Sequence, residues 1–295
     1  MNRRWAKSAG SMPANLFCHH KCATIRCARY TRSRDNGAAA HAGLVIKDSA
    51  PSWAGEACEF LCRSDPVLAG LINRVGPLEI AYRRERFQAL VRAVIFQQLA
   101  GRAALAIFQR FVEIIGKGRF PTPAQVLAAS DEDLRRAGLS RGKMAYIRDL
   151  AAHVRDGKLN FRRFARMADE EIIAELVQVR GIGRWTAEMF LMFNLRRPDV
   201  LPVDDLGFRN AVAKAYGLSA LPPAKVMREM GEKWRPYRSA AVWYFWQSTR
   251  LVTPGEPAQA SAAPRRPKQR PGSTPKPKAP AAVRATPRRS AHARS

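Results

Sequence analysis

From residue 87 the apolar positions recur at spacings of three and four. Phe87, Leu90, Val91, Val94 and Ile95, with Gln98 continuing the same face, predict one side of a helix over 87–98. "GRAALAIFQRFVEIIG" predicts a second helix, and "SDEDLRRAGLS" a third that opens on Ser130 as its N-cap. Ser140 caps a fourth, "SRGKMAYIRDLAAHV". "MADEEIIAELVQV", "RWTAEMFLMF", "DLGFRNAVAKAYG" and "RSAAVWYFWQSTRLV" carry the same period, and no stretch alternates with period two. The expectation is one all-α domain over 53–252, of roughly ten helices.

The two ends differ from this middle. Residues 1–52 show no sustained periodicity and read as an irregular or disordered basic leader. Residues 253–295 are rich in Pro, Ala, Lys and Arg and almost lack large apolar side chains. A segment of that kind cannot bury enough surface to offset its ordering entropy, so a disordered tail is expected.

Charge narrows the class of partner. The chain has 51 Lys and Arg against 24 Asp and Glu, a net charge of +27. Nine basic and two acidic residues lie in the leader, and ten basic and one acidic in the tail, so the middle keeps a basic excess of its own. Such an excess points to a polyanion, nucleic acid or an anionic membrane. No apolar run approaches the roughly 20 residues of a membrane helix, and no secretory h-region is evident, so no membrane role is expected. The five cysteines (18, 22, 27, 58 and 62) do not suggest a disulfide scaffold, and "CHHKC" over 18–22 is a weak metal candidate in an irregular segment.

The chemistry concentrates around "VRGIGRWTAEMF", residues 179–190. One helix is expected to end near Val179 and the next to begin near Arg184, leaving only a tight hairpin between them. Gly181 and Gly183 permit positive φ and remove side chains that would block a close approach. Backbone N–H groups beside a helix N-terminus form an anion site, and with Arg184 following, the expected anion is a DNA backbone phosphate. Such a clamp carries no sequence information. A plain αα-turn with a glycine cap explains the hairpin taken alone about as well. About twenty residues further on, "VDDLG" sets Asp204 and Asp205 side by side, where helix N-capping is the ordinary role.

Taken together, "FQALVRAVIFQQLAGRAA", "GLSRGKMAYIRDLA", "LVQVRGIGRWTAEMF", "DVLPVDDLGFRNAV" and "WRPYRSAAVWYFW" resemble the helix-hairpin-helix–GPD superfamily of base-excision DNA glycosylases. More narrowly they are similar to the 3-methyladenine DNA glycosylase II family. The resemblance spans about 53–252 and has no counterpart of the β-rich N-terminal domain of some members. It implies two helical subdomains with the active site between them, and double-stranded DNA containing damaged bases as the partner. It further implies a monomer in the bacterial cytoplasm, on the nucleoid.

By that resemblance Asp205 is the catalytic carboxylate, and Asp204 is left to a capping role. Trp185 and Trp246 line the base pocket, and Met189 and Leu206 sit where the family often has tyrosines. Gly181, Gly183, Arg184 and Thr186 contact DNA, and Gln98 and Leu99 occupy the loop from which a wedge enters the duplex. Gln97 and Gln98 serving a helix end is the plainer reading of that loop. The family's hairpin also binds a monovalent cation through backbone carbonyls, here those of Val177, Val179 and Ile182. Relatives that also cut the strand carry lysine after "GxGR", whereas this chain has Trp185, so a monofunctional enzyme is implied. No cysteine lies beyond 62, so no iron–sulfur cluster and no required cofactor is expected.

The implied reaction is hydrolysis of the N-glycosidic bond of alkylated purines such as 3-methyladenine and 7-methylguanine, with hypoxanthine as a further candidate. Two alternatives stand beside it. A noncatalytic helix-hairpin-helix DNA-binding module needs neither Asp205 nor an aromatic pocket. A glycosylase for deaminated or oxidised bases would share the architecture.

Overall fold

The computed structural model describes residues 50–80 and 82–250, and regular structure within them is helical. Twelve α-helices follow in order: α1 (Ala54–Ser64), α2 (Pro66–Val75), α3 (Arg86–Phe96), α4 (Gly101–Gly116), α5 (Pro123–Ala128) and α6 (Asp131–Arg136). They continue as α7 (Arg141–Arg155), α8 (Asp169–Leu176), α9 (Arg184–Asn194), α10 (Leu206–Tyr216), α11 (Ala224–Gly231) and α12 (Arg238–Ser248). Short 3-10 turns at Arg163–Arg166 and Glu232–Trp234 complete the set. The proposed leader and tail, with the 18–22 cysteine–histidine cluster, lie outside the described residues.

The caps read from the sequence are in place. Ser130 Oγ accepts from the Asp133 N–H at 3.0 Å, and Ser140 Oγ from the Lys143 N–H at 3.3 Å. Leu90, Val91, Val94 and Ile95 are buried along α3 as the spacing predicts. Gln98, expected to continue that face, instead lies beyond the helix end with φ +56°.

The helices form two groups. α1 and α2 pack with α10 and α12, so the first and last described helices share one layer. α3, α4, α5, α6 and α7 pack among themselves, and α8–α9 joins them through α9 against α3. One continuous apolar core runs through both groups. Asp65, fully buried at the start of α2, ties the first group together. It accepts from the Val67 N–H at 2.9 Å, the Trp234 indole at 2.8 Å and the Tyr216 hydroxyl, and pairs with Lys233 at 3.1 Å. Those donors hold its carboxyl below the usual carboxylate range against the opposing effect of burial. The chain crosses from the second group back to the first between α9 and α10, and Asp205 stands at that return.

Candidate active site

Asp205 is the N-cap of α10 and receives three donors. Oδ1 accepts from the Phe208 N–H at 2.5 Å and from the Trp246 indole N–H at 3.2 Å. Oδ2 accepts from the Trp185 indole N–H at 2.7 Å. Trp185 comes from α9, Asp205 from α10 and Trp246 from α12, so the carboxylate is fixed across the junction of the two helix groups. The expectation that Asp204 does the capping is corrected: Asp204 is exposed, and Asp205 both caps and faces the indoles.

The surroundings of that carboxylate are apolar and open. Trp185 is 49 % exposed and Leu206 60 % exposed, so two large apolar side chains lie open beside it. Trp246 is half-buried and stacks on Phe193, with ring centroids 6.1 Å apart and 19° between planes. Met189, one turn beyond Trp185 on α9, is half-buried against the core. Trp243 is buried and belongs to the core.

The hairpin between α8 and α9 uses its two glycines differently. Gly181 has φ +82°, and a Cβ there would overlap the Tyr146 ring. Both facts demand glycine. Gly183, expected to use positive φ, is instead an ordinary extended residue at φ −92°, ψ 172°, and a Cβ on it would meet nothing within 4 Å. It is the N-cap of α9, which starts without any side-chain cap, so its first N–H groups are left to an outside acceptor.

Within the protein, Arg184, expected to be a phosphate ligand, is already engaged by two carboxylates. It forks onto Glu170 at 2.5 and 2.9 Å and reaches Glu188 at 3.1 Å, bracing α8 against α9. These bonds hold the Glu170 carboxyl below its usual range. Glu188 goes the other way: it is 5 % exposed, and burial pushes its carboxyl up to about 7 despite Arg184, with Asp204 and Glu170 adding to the rise. Thr186 is buried, so only its backbone is suited to a DNA contact.

The loop after α3 is joined to this hairpin. Gln97 Nε2 donates to the Gly181 carbonyl at 2.8 Å, and Lys143 Nζ donates to the carbonyls of Ile95 at 2.6 Å and Gln97 at 2.8 Å. Gln97 therefore serves backbone groups, as the plainer reading had it, while Gln98 and Leu99 are exposed on the same loop. The Val179 carbonyl accepts from the Ile182 N–H at 3.1 Å. The carbonyls of Val177, Val179 and Ile182 are neutral oxygens on one short turn, a donor type suited to a hard cation of low charge. Among the described residues no group of three or more His, Cys, Asp or Glu side chains is placed to hold a metal ion.

Residues 91–236 match the model of the HhH-GPD superfamily of base excision DNA repair proteins. The DNA-3-methyladenine glycosylase 1 of Schizosaccharomyces pombe is 36 % identical over 193 residues, 65 % of this chain and 85 % of that protein. A solved S. pombe 3-methyladenine DNA glycosylase in complex with abasic DNA superposes with a TM-score of 0.60. The two are 35 % identical over 67 % of this chain and 98 % of that one. A DNA-3-methyladenine glycosidase from Bacillus halodurans gives a TM-score of 0.61 at 35 % identity, over 65 % of this chain and 88 % of the other. The chain belongs to the HhH-GPD superfamily.

In this HhH-GPD protein the α8–α9 hairpin is followed by Asp205, which is met by two indoles. What sequence reasoning missed is the support behind them. Glu188 and Glu170 fix Arg184, Phe193 backs Trp246, Tyr146 and Gln97 meet the hairpin at Gly181, and Lys143 holds the end of α3 at Gln97. The one available signal was Glu188, an acidic residue four positions after Arg184 on a helix, the spacing of an ion pair.

Proposed function

We propose that the chain is a monofunctional DNA glycosylase that removes alkylated purines from double-stranded DNA. The observation that carries this reading is the carboxylate of Asp205, held by Trp185 and Trp246 at an apolar opening in a base-excision-repair fold. The exposed face of Trp185 is a surface for an extruded base. A purine alkylated on a ring nitrogen is cationic, and an electron-rich ring attracts a cation. Such a base is already a good leaving group, so a strong general acid is unnecessary.

Breaking the N-glycosidic bond leaves positive charge on the sugar, as in other glycoside hydrolyses. Asp205, fixed by three donors before substrate arrives, supplies a negative charge that needs no reorganisation as that cation develops. It also orients water for attack at the anomeric carbon. The uncapped N-terminus of α9 receives the backbone phosphate, and Leu99 fills the gap the base leaves, since extrusion costs a few kcal/mol of stacking. The reaction needs no cofactor in this reading. A monovalent cation held by the carbonyls of Val177, Val179 and Ile182 would add positive charge beside the phosphate.

Strand cleavage needs an amine to form an imine with the opened sugar, and Trp185 stands where that amine would be. Lys143, on α7, has its ammonium between two helix-end carbonyls. The protein acts as a monomer and leaves the abasic strand intact.

A base-release assay on duplexes carrying 3-methyladenine, 7-methylguanine, hypoxanthine or 8-oxoguanine tests the activity. Release of the two alkylated purines without strand scission is expected. Release of 8-oxoguanine alone, or a borohydride-trapped protein–DNA adduct forming as fast as base release, overturns the reading.

A further inference from the structure

Three residues of α7, at positions 143, 146 and 149, lie on one face of the helix by their spacing of three. Each touches either the loop after α3 or the α8–α9 hairpin. Lys143 closes the C-terminal end of α3 by donating to Ile95 and Gln97, where a cation also complements the helix dipole. The Tyr146 ring lies against Gly181 so closely that no Cβ fits between them. Asp149 Oδ2 accepts from the Arg180 N–H at 2.8 Å. The Gln97 amide closes the circuit by donating to the Gly181 carbonyl at 2.8 Å.

The next residue after Gln97 is the only glutamine among the described residues with positive φ, Gln98 at +56°, followed by exposed Leu99. A non-glycine residue in that region persists only where its neighbours over-determine it. The neighbour doing so is Gln97, whose carbonyl and side chain are both bound. Two residues beyond Gly181, Gly183 begins α9.

We infer that Lys143 and Gln97 are positioning residues that hold the Leu99 loop in fixed register with the hairpin. The wedge thus enters the duplex at the nucleotide whose phosphate the hairpin grips. Neither residue is placed to touch the reacting atoms. They act through the loop, and the inference rests on the glycosylase reading only for what the wedge is used for. Without the strut the protein still binds a phosphate, but the wedge meets the wrong step and the base is not extruded.

Gln97→Ala, Lys143→Met, Lys143→Arg, Leu99→Ala and the double variant Gln97→Ala/Leu99→Ala are compared with the wild-type chain. Three quantities are measured: thermal midpoint, affinity for a 2-aminopurine duplex, and the fluorescence rise as that base leaves the stack. Gln97→Ala and Lys143→Met are expected to remain folded, with the thermal midpoint lowered by a few degrees at most, and to keep most of the affinity. Their extrusion rate should fall about 10- to 100-fold, the cost of misplacing a group by a fraction of the site's width. Lys143→Arg should recover most of the rate, and the double variant should be no slower than Leu99→Ala alone, because both changes act on one wedge.

Unchanged extrusion in Gln97→Ala and Lys143→Met overturns the inference. So does loss of extrusion in step with affinity or thermal midpoint, additive losses in the double variant, or a wild-type chain that extrudes no base. Extrusion of 2-aminopurine is read without base release, so failure of the glycosylase reading appears separately, as a wild-type chain that extrudes this base yet releases none of the bases in the base-release assay.

Discussion

The exposed indole of Trp185 donates its N–H to Oδ2 of Asp205 at 2.7 Å, so the ring we propose to meet an extruded base is also a donor to the carboxylate. The two roles separate by substitution. Trp185→Phe keeps an aromatic face and removes the donor. A hydrogen bond to a charged group is worth about 1.5–3 kcal/mol, with an exposed one at the lower end, so single-turnover base release should fall about tenfold. Trp185→Ala removes the face as well and should fall further. Equal rates for the two variants would show that the donor alone matters.

Asp205 is a helix cap and the proposed catalytic group at once. Asparagine caps a helix about as well as aspartate but carries no charge. Asp205→Asn should therefore melt close to wild type and bind DNA, while base release drops to background. Asp205→Ala should lose the activity and also about 1 kcal/mol of stability with the cap. Asp204→Asn should stay active, and a dead Asp204→Asn beside an active Asp205→Asn would reassign the carboxylate.

The hairpin glycines should respond in opposite ways. Gly181→Ala must accept a positive φ and displace Tyr146. Strain and overpacking each cost about 1–3 kcal/mol, which a denaturant titration resolves. Gly183→Ala has an allowed backbone and open space, so its stability should match wild type. Its DNA affinity should drop if the start of α9 receives a phosphate as proposed, because the added methyl would stand in that approach. Normal DNA binding by Gly183→Ala would remove that end of the helix from the interface.

Glu188 gives a pH signature. Its folded carboxyl titrates at about 7 against 4.5 for the ordinary group, so the folded protein keeps a proton that the unfolded chain has released. The stability this contributes is complete below about 4.5 and is lost as pH rises through 7. The full loss is on the order of 3 kcal/mol. Glu188→Gln, a neutral isostere, should match wild type at pH 5 and be the more stable protein at pH 8. Parallel stability curves for the two proteins across that range would contradict it.

Much of this site was legible because local chemistry and fold agree. Ser130 and Ser140 cap helices through bonds three residues long, and the hairpin glycines and "VDDLG" are local patterns. The intramolecular partner of Arg184 was not legible, because Glu170 lies fourteen positions earlier on another helix and a sequence shows an arginine without showing what already holds it. The choice between Asp204 and Asp205 as cap depended on one residue of helix register, the least certain quantity in a chain read alone. Gln97 looked like a helix-end residue and is one. Its bond to Gly181 spans 84 positions and leaves no periodic trace.

The buried carboxylate of Asp65 sets a timetable for synthesis. Its partners Tyr216 and Trp234 follow it by 151 and 169 positions. At translation rates of about 5–20 residues per second they leave the ribosome roughly 10–30 s after it. All of α3 to α9 is made in that interval, so the hairpin and its strut can assemble first. The layer that carries Asp205 closes only when the last helices arrive.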